Sequence, residues 1–274
     1  MSGKLYLVGT PIGNLGDFSP RAVETLKEVD FIAAEDTRVT LKLLNHFDIR
    51  KPLVSYYEHN KFASGAKIFD RIVSGENCAL VTDAGMPAIS DPGEDIVRMC
   101  AENGVEVVTV PGPSALISAI ALSALPTQRF CFEGFLSTSN KSRREHLDSL
   151  VSERRTMIFY EAPHKLMRTL EYMKNTFGGD RKLSLCRELT KIHEQTLRTT
   201  FDGAIEYFTL TPPKGEFVLV IDGAPEVKVE CTVEDALALV EKYRAEGMSH
   251  KAACKKAAPE TGFNANELYN ASLK

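Results

Sequence analysis

Six short stretches concentrate the residues able to do chemistry, and each adjoins a run with strand character. VGTPIGNLGD (8–17) packs three glycines and a proline into ten residues, which demands an open loop with free backbone N–H groups. TDAGMPAISDPG (82–93) repeats the device and adds Asp83 and Asp91, able to accept from ammonium or ribose hydroxyl groups. Both acids equally suit turn chemistry and helix capping. VPGPSALISAI (110–120) offers Ser114 as a helix cap and small residues that let a backbone or an adenine ring approach closely. AAEDTRVT (33–40) sets Glu35 and Asp36 beside Arg38, a polar site or simply a capped helix start. FYEAPHKL (159–166) and RELTKIHEQ (187–195) place Glu161, His164, Lys165, Arg187, Lys191 and His193 where strands leave a core, a pattern suited to phosphate contacts with an acid or imidazole among them.

Two common nucleotide signatures are absent: the chain has neither G-x-G-x-x-G nor G-x-x-x-x-G-K-[ST]. The six cysteines are scattered, with no C-x-x-C pair, which argues against paired-cysteine zinc and against a disulfide framework, and no metal site is expected. The longest apolar stretch, 115–125, is far short of the ~20 residues that cross a bilayer, and with strand character beginning at residue 4 no secretory segment is expected. A soluble, cytoplasmic chain is expected. The net charge of −4 argues against indiscriminate coating of nucleic acid. Its distribution is uneven: 11 basic against 16 acidic residues over 1–112, then 13 against 8 over 141–198.

The elements that must carry these stretches follow from hydrophobic pattern. Strand-like runs at 4–9, 31–35, 53–57, 78–83 and 105–110 alternate with helical patterns at 20–29, 37–47, 61–73 and 94–103, so a mostly parallel sheet flanked by helices is predicted. In an open sheet of that kind, ligands bind at the carboxyl ends of the strands, where the glycine-proline loops fall. The second half has strand-like runs at 130–136, 156–162, 182–189, 194–201 and 216–223 with fewer helices, at 141–152, 163–176 and 202–209. The close succession of 182–189 and 194–201 predicts an antiparallel hairpin within a mixed α/β domain. From Thr232 the pattern is helical, broken at Gly247 and at 259–262. The expected organisation is an N-terminal α/β domain (1–112), a second mixed α/β domain (113–224) and a C-terminal helical extension (225–274).

LVGTPIGNLGD, AAEDTR, TDAGMPAISDPG, VPGPSA, FEGFL, YEAPHKL, REL-TK-HE and GEFVLVIDG occur in this order. With them the chain resembles the tetrapyrrole methylase family from about residue 4 to 223. The match is closest to its RNA-modifying branch, the ribosomal RNA small subunit methyltransferase I type. The GTPIGN loop departs from the glycine-acid loop of the corrin-modifying enzymes, which favours that branch. The resemblance implies a two-domain fold with S-adenosylmethionine in the cleft between the domains, and commonly a homodimer. It implies 2′-O-methylation of a cytidine in small-subunit (16S) ribosomal RNA near the decoding centre, with the small ribosomal subunit as partner and no role for DNA or membrane. Carried onto this chain, Gly9, Thr10, Pro11, Ile12, Gly13 and Asn14 form one wall of the cofactor site. Asp83, Gly85, Met86 and Ile89 form the second, and Pro113, Ser114 and Ala115 the hinge.

A ribose hydroxyl is a poor nucleophile near neutral pH, so a base is expected among Glu35, Asp36 and Glu161. Arg38, Lys165, Arg187 and Lys191 are the expected phosphate contacts, holding register without reading sequence. Other outcomes of the same pattern are a methyltransferase for a tetrapyrrole or another small acceptor, and a non-catalytic cofactor-binding assembly factor.

Overall fold

The computed structural model describes residues 2–225 and 231–273. The chain divides into two compact units, Met1–Ala224 and Pro225–Lys274. The expected junction near residue 225 runs into 226–230, which lie outside the described residues.

The first unit contains two five-stranded sheets. In the first, β1 (Leu5–Val8), β2 (Phe31–Ala34), β3 (Leu53–Ser55), β4 (Cys78–Val81) and β5 (Val107–Val110) run in the order β3-β2-β4-β1-β5, all parallel. β2 and β4 are buried along their whole length, which explains why both read as unbroken apolar runs. α1 (Pro20–Glu28) and α2 (Thr37–His46) cover one face through Ala22, Leu26 and Leu44. α3 (Lys61–Val73) and α4 (Glu94–Glu102) cover the other through Ile68, Ile72, Ile96 and Cys100. Ser19 caps α1 by accepting from the Ala22 N–H, with Pro20 at the first helical position. β1 and β4 are adjacent, yet their outgoing helices, α1 and α4, lie on opposite faces. That is a topological switch point, where the loops diverge and leave a crevice.

The second sheet has the order β6-β7-β10-β8-β9, from β6 (Phe130–Phe135), β7 (Thr156–Glu161), β8 (Lys182–Arg187), β9 (Gln195–Thr200) and β10 (Phe217–Ile221). β6 and β7 are parallel and the remaining pairings antiparallel, with β8 and β9 forming the predicted hairpin. Successive side chains point to opposite faces of this sheet. Ile158, Cys186, Val218 and Val220 point to one face and pack on α5 (Ala115–Leu122), the helix grown from the 110–120 stretch. Met157, Phe159, Leu185 and Leu219 point to the other, beneath α6 (Asn140–Ser149), α7 (Pro163–Phe177) and α8 (Phe201–Leu210).

The second unit comprises α9 (Val233–Ala245), α10 (His250–Thr261) and α11 (Ala265–Ala271) around Val240, Tyr243, Cys254 and Leu268. Capping boxes at Thr232/Asp235 and Asn264/Glu267 start α9 and α11. The break predicted at 259–262 falls later than the proline: α10 runs through Pro259, and Gly262 ends it at φ 75°. A proline in the last turn forfeits one backbone bond, and the left-handed glycine that follows sets the stop. Among the described residues, no helix is long and apolar enough to cross a membrane. Nor does any described cluster of His, Cys, Asp or Glu suit a metal ion.

Candidate functional site

The loops after β1, β4 and β5 are joined to one another by their backbones. Thr10 donates its N–H to the Gly85 carbonyl (2.9 Å), and Gly85 returns the bond to the Thr10 carbonyl (3.1 Å). The buried Thr10 hydroxyl donates to the Thr82 carbonyl at 3.1 Å. Gly9 lies against Gly112 so closely that a Cβ on Gly9 would stand 2.7 Å from the Gly112 Cα and from the Met86 sulfur. Gly85 sits at φ 86°, and Ala88 and Ser90 adopt left-handed backbone at 67° and 64°. Such conformations cost energy in non-glycine residues and persist where surrounding structure over-determines them.

These loops wall a cavity of about 470 Å³ facing the second sheet. Ile12, Gly85, Met86, Ile89, Ser114 and Ala115, all named from sequence, line it, as does Glu161. Tyr160, Cys186, Leu189, Phe217 and Val218 close the opposite side. Three carboxylates, Asp91, Glu161 and Glu216, reach the walls, and among the described residues no lysine or arginine does. Gly9 and Thr10 act behind the wall by tying loops together. Pro11 continues the same loop, and the Pro113 carbonyl stands 3.7 Å from where a Gly85 Cβ would be.

Gly13 and Asn14 are placed elsewhere. With Leu15 they line a second, open hollow opposite Thr190–His193. A Cβ on Gly13 would run into the Lys191 side chain, and Asn14 caps the single 3-10 turn 15–17 by accepting from the Gly16 N–H. Lys191 is clamped between Glu188 (3.0 Å) and Glu216 (2.8 Å). Arg187 donates Nε to the Lys214 carbonyl at 2.5 Å. Lys165 stands half-buried in the first turn of α7, two residues beyond Pro163, which lines the main cavity.

The acids at the carboxyl edge of the first sheet form a chain. Asp83 accepts from the Asp36 N–H (3.1 Å), and the Asp83 N–H donates to Glu35 (3.4 Å). Burial, then the neighbouring Glu35 and Asp83 charges, push the Asp91 carboxyl up to about 7. Burial also raises Glu35 and Asp83, with the neighbouring aspartates adding to it. Asp36 goes the other way: two side-chain bonds from Arg38 hold it down at about 2, fully ionised at neutral pH. Glu161 is buried and takes the Ala162 N–H (2.9 Å) and the Thr169 hydroxyl (2.5 Å), so its carboxylate fastens the start of α7.

Sequence reasoning missed Tyr160 as a wall residue and named Asp91 without placing it in the site. Tyr160 accepts the Leu116 N–H at its hydroxyl (3.2 Å), tying β7 to the head of α5. Period-two alternation from Ile158 marks Tyr160 as inward-facing, so the signal was present.

The chain is 50% identical over 273 residues to "Ribosomal RNA small subunit methyltransferase I" of Synechocystis sp., covering 99% of this chain and 98% of that one. It is 47% identical to the protein of the same name in Halalkalibacterium halodurans, covering 98% and 94%. Its fold is similar to the crystal structure of uroporphyrin-III-C-methyltransferase from Thermus thermophilus, with TM-score 0.57 and 18% identity over 80% of this chain and 94% of that one. The profile of the Tetrapyrrole (Corrin/Porphyrin) Methylases matches residues 4–204, and the chain belongs to that family.

Proposed function

We propose that this protein methylates small-subunit (16S) ribosomal RNA with S-adenosylmethionine as donor, at the 2′-hydroxyl of a cytidine near the decoding centre. It acts as a homodimer in the cytoplasm. The observation that carries the reading is the cavity at the switch point. Its volume lies within the range of small-molecule sites, its walls are apolar enough for an adenosyl group, and its charged groups are acidic. That polarity suits a sulfonium and opposes the phosphates of a dinucleotide. The two relatives share the name of a ribosomal RNA methyltransferase at 50% and 47% identity over nearly the whole chain, which supports the acceptor class.

When bound, S-adenosylmethionine supplies an electrophilic methyl carbon. The chain's own part is to hold, align and deprotonate. Ile12, Met86, Ile89 and Ala115 would grip the adenosyl group, and Tyr160 and Phe217 would exclude water from the far side. Alignment alone can be worth several kcal/mol. Residue types alone offered Glu35, Asp36 and Glu161 as the base. Arg38 holds Asp36 as a weak base, and Glu161 is engaged with Thr169. Glu35 is not among the residues that line the cavity, whereas Asp91 is, so we assign proton acceptance to a carboxylate oxygen of Asp91, with burial first and then Glu35 and Asp83 keeping its affinity for a proton near neutral. Arg38, Lys165, Arg187 and Lys191 remain assigned to the RNA side. Lys191 would act with its two carboxylate partners rather than as an isolated cation.

Incubation with methyl-labelled donor and, separately, small subunits, free 16S RNA and a uroporphyrinoid tests the reading. Label in the ribosomal acceptors supports it. Label only in the tetrapyrrole, or donor binding without transfer, overturns it.

A further inference from the structure

We infer that the first two turns of α6 and α7 form the surface on which the acceptor RNA lays its phosphate backbone, with Phe135 at the cavity rim as a platform for one base. This deepens the proposed function and rests on RNA being the acceptor.

β6 and β7 are parallel neighbours, so the segments leaving their carboxyl ends emerge on one edge of the sheet. Phe135 ends β6 and lines the cavity, as do Glu161 and Pro163, where β7 passes into α7. The helices that begin there carry Lys141 and Arg144 on α6, and Lys165 and Arg168 on α7. Their placement is fixed by a brace on Tyr172, of which Arg143 is the buried member and Arg168 the exposed one. The Arg143 guanidinium lies 3.9 Å from the Tyr172 ring, and Arg168 donates Nε to the Tyr172 hydroxyl at 2.8 Å. Arg143 also donates to the Ser137 and Thr138 carbonyls, both at 3.3 Å, and so pins the loop between Phe135 and α6.

The outer cations are available. The Lys141 and Arg144 side chains are 85% and 84% exposed, and their acidic neighbours Glu145 and Asp148 stand off at 3.9 and 3.5 Å, pairs too loose and wet to neutralise them. On the first sheet's side Asp91 lines the cavity, Glu35 and Asp83 are bonded together at the carboxyl edge, and the nearby cation Arg38 is already paired with Asp36 at 2.6 Å, so that side offers phosphate less than the second does. An RNA strand entering the cleft therefore lies along the second sheet's side, with its sugar turned toward the acids. Phe135 is 56% exposed, and its ring is supported by Tyr160 at 5.5 Å, leaving the outer part of the ring open to a base.

The test compares charge removals in the full-length protein, measuring binding to isolated small subunits and to polycytidylate against salt, with donor affinity and melting temperature as fold controls. Lys141→Gln with Arg144→Gln is expected to weaken RNA binding about tenfold and to flatten the slope of log affinity against log salt by about 0.7 for each phosphate left without a cation. Donor affinity and melting temperature should stay unchanged. Lys42→Gln with Arg50→Gln removes equal charge from the first sheet's side and should change RNA affinity less than twofold. Glu145→Gln with Asp148→Asn should tighten binding, a gain that misfolding cannot mimic. Phe135→Leu should weaken polycytidylate binding about fivefold through the missing stacking surface. Equal losses from both cationic pairs, or none from the α6 pair, overturn the surface, and unchanged affinity in Phe135→Leu overturns the platform. Should the wild type show this binding pattern yet methylate no RNA, the proposed function falls and the surface stands. Methylation with an unaltered KM in the α6 pair removes the surface and leaves the function.

Discussion

Thr10 and Gly85 exchange two backbone hydrogen bonds, at 2.9 and 3.1 Å, and so fasten the loop after β1 to the loop after β4. No side chain supplies this bond, so it survives most substitutions at Thr10 but depends on the φ of 86° at Gly85. Gly85→Val should lose about 1–2 kcal/mol of stability, the cost of a left-handed conformation in a residue with a Cβ. Donor affinity should fall with it, because the added side chain enters the cavity. Thermal unfolding and calorimetric titration of the donor check both effects.

Gly9→Ala tests the second tie. Its Cβ would stand 2.7 Å from backbone atoms of Gly112, which cannot swing aside as a side chain can. A destabilisation of about 1–3 kcal/mol is expected, in the range of overpacked interiors. Chemical denaturation measures it. Gly104→Ala, with φ 69° but nothing within 4 Å of the new Cβ, separates backbone strain from collision.

Asp91 should set the pH dependence of the proposed reaction. With its carboxyl pushed up to about 7 by burial and then by Glu35 and Asp83, the rate for the free enzyme should rise with pH and level off above neutrality. Asp91→Asn should lower kcat by about 10²- to 10⁴-fold, the usual worth of a positioned base, and abolish that rise. Stability should follow the opposite sign. The folded state holds the Asp91 proton more tightly than the unfolded chain, so its contribution is full below about pH 4 and is lost as pH climbs towards 7. Asp91→Asn should therefore melt higher than wild type at pH 8 and show a smaller difference at pH 4. Melting curves across that interval check it.

Glu161 and Thr169 should behave as structural partners. Thr169→Val removes one donor to a buried carboxylate and should cost about 1–3 kcal/mol. Its kinetic signature should be a raised KM for RNA, because Lys165 rides on the helix start that Glu161 holds, with kcat nearly kept. A kcat loss as large as that of Asp91→Asn would give Glu161 the chemical role instead.

Much of this architecture was legible from pattern. Buried parallel strands such as FIAA and CALV show as unbroken apolar runs, and each glycine-proline loop falls at a strand's carboxyl end. The hairpin of β8 and β9 followed from two strand runs separated by a few residues. What pattern could not show is which way a loop residue points. Ile12 and Gly13 are chain neighbours, yet one lines the main cavity and the other the second hollow. Asp91 reaches the cavity through a loop whose Ala88 and Ser90 are left-handed, a conformation that neither residue type advertises. Arg143 has the sequence surroundings of one more surface cation of α6, and its burial against Tyr172 depends on a helix 20 or more residues further along the chain.

The most direct measurement is a single-turnover transfer from labelled S-adenosylmethionine to small subunits, followed by digestion of the RNA to nucleosides and their identification by mass. Wild type should yield 2′-O-methylcytidine at one position, and Asp91→Asn should yield almost none while still binding the donor. Label on a base, label outside the RNA, or an undiminished rate in Asp91→Asn would contradict this account.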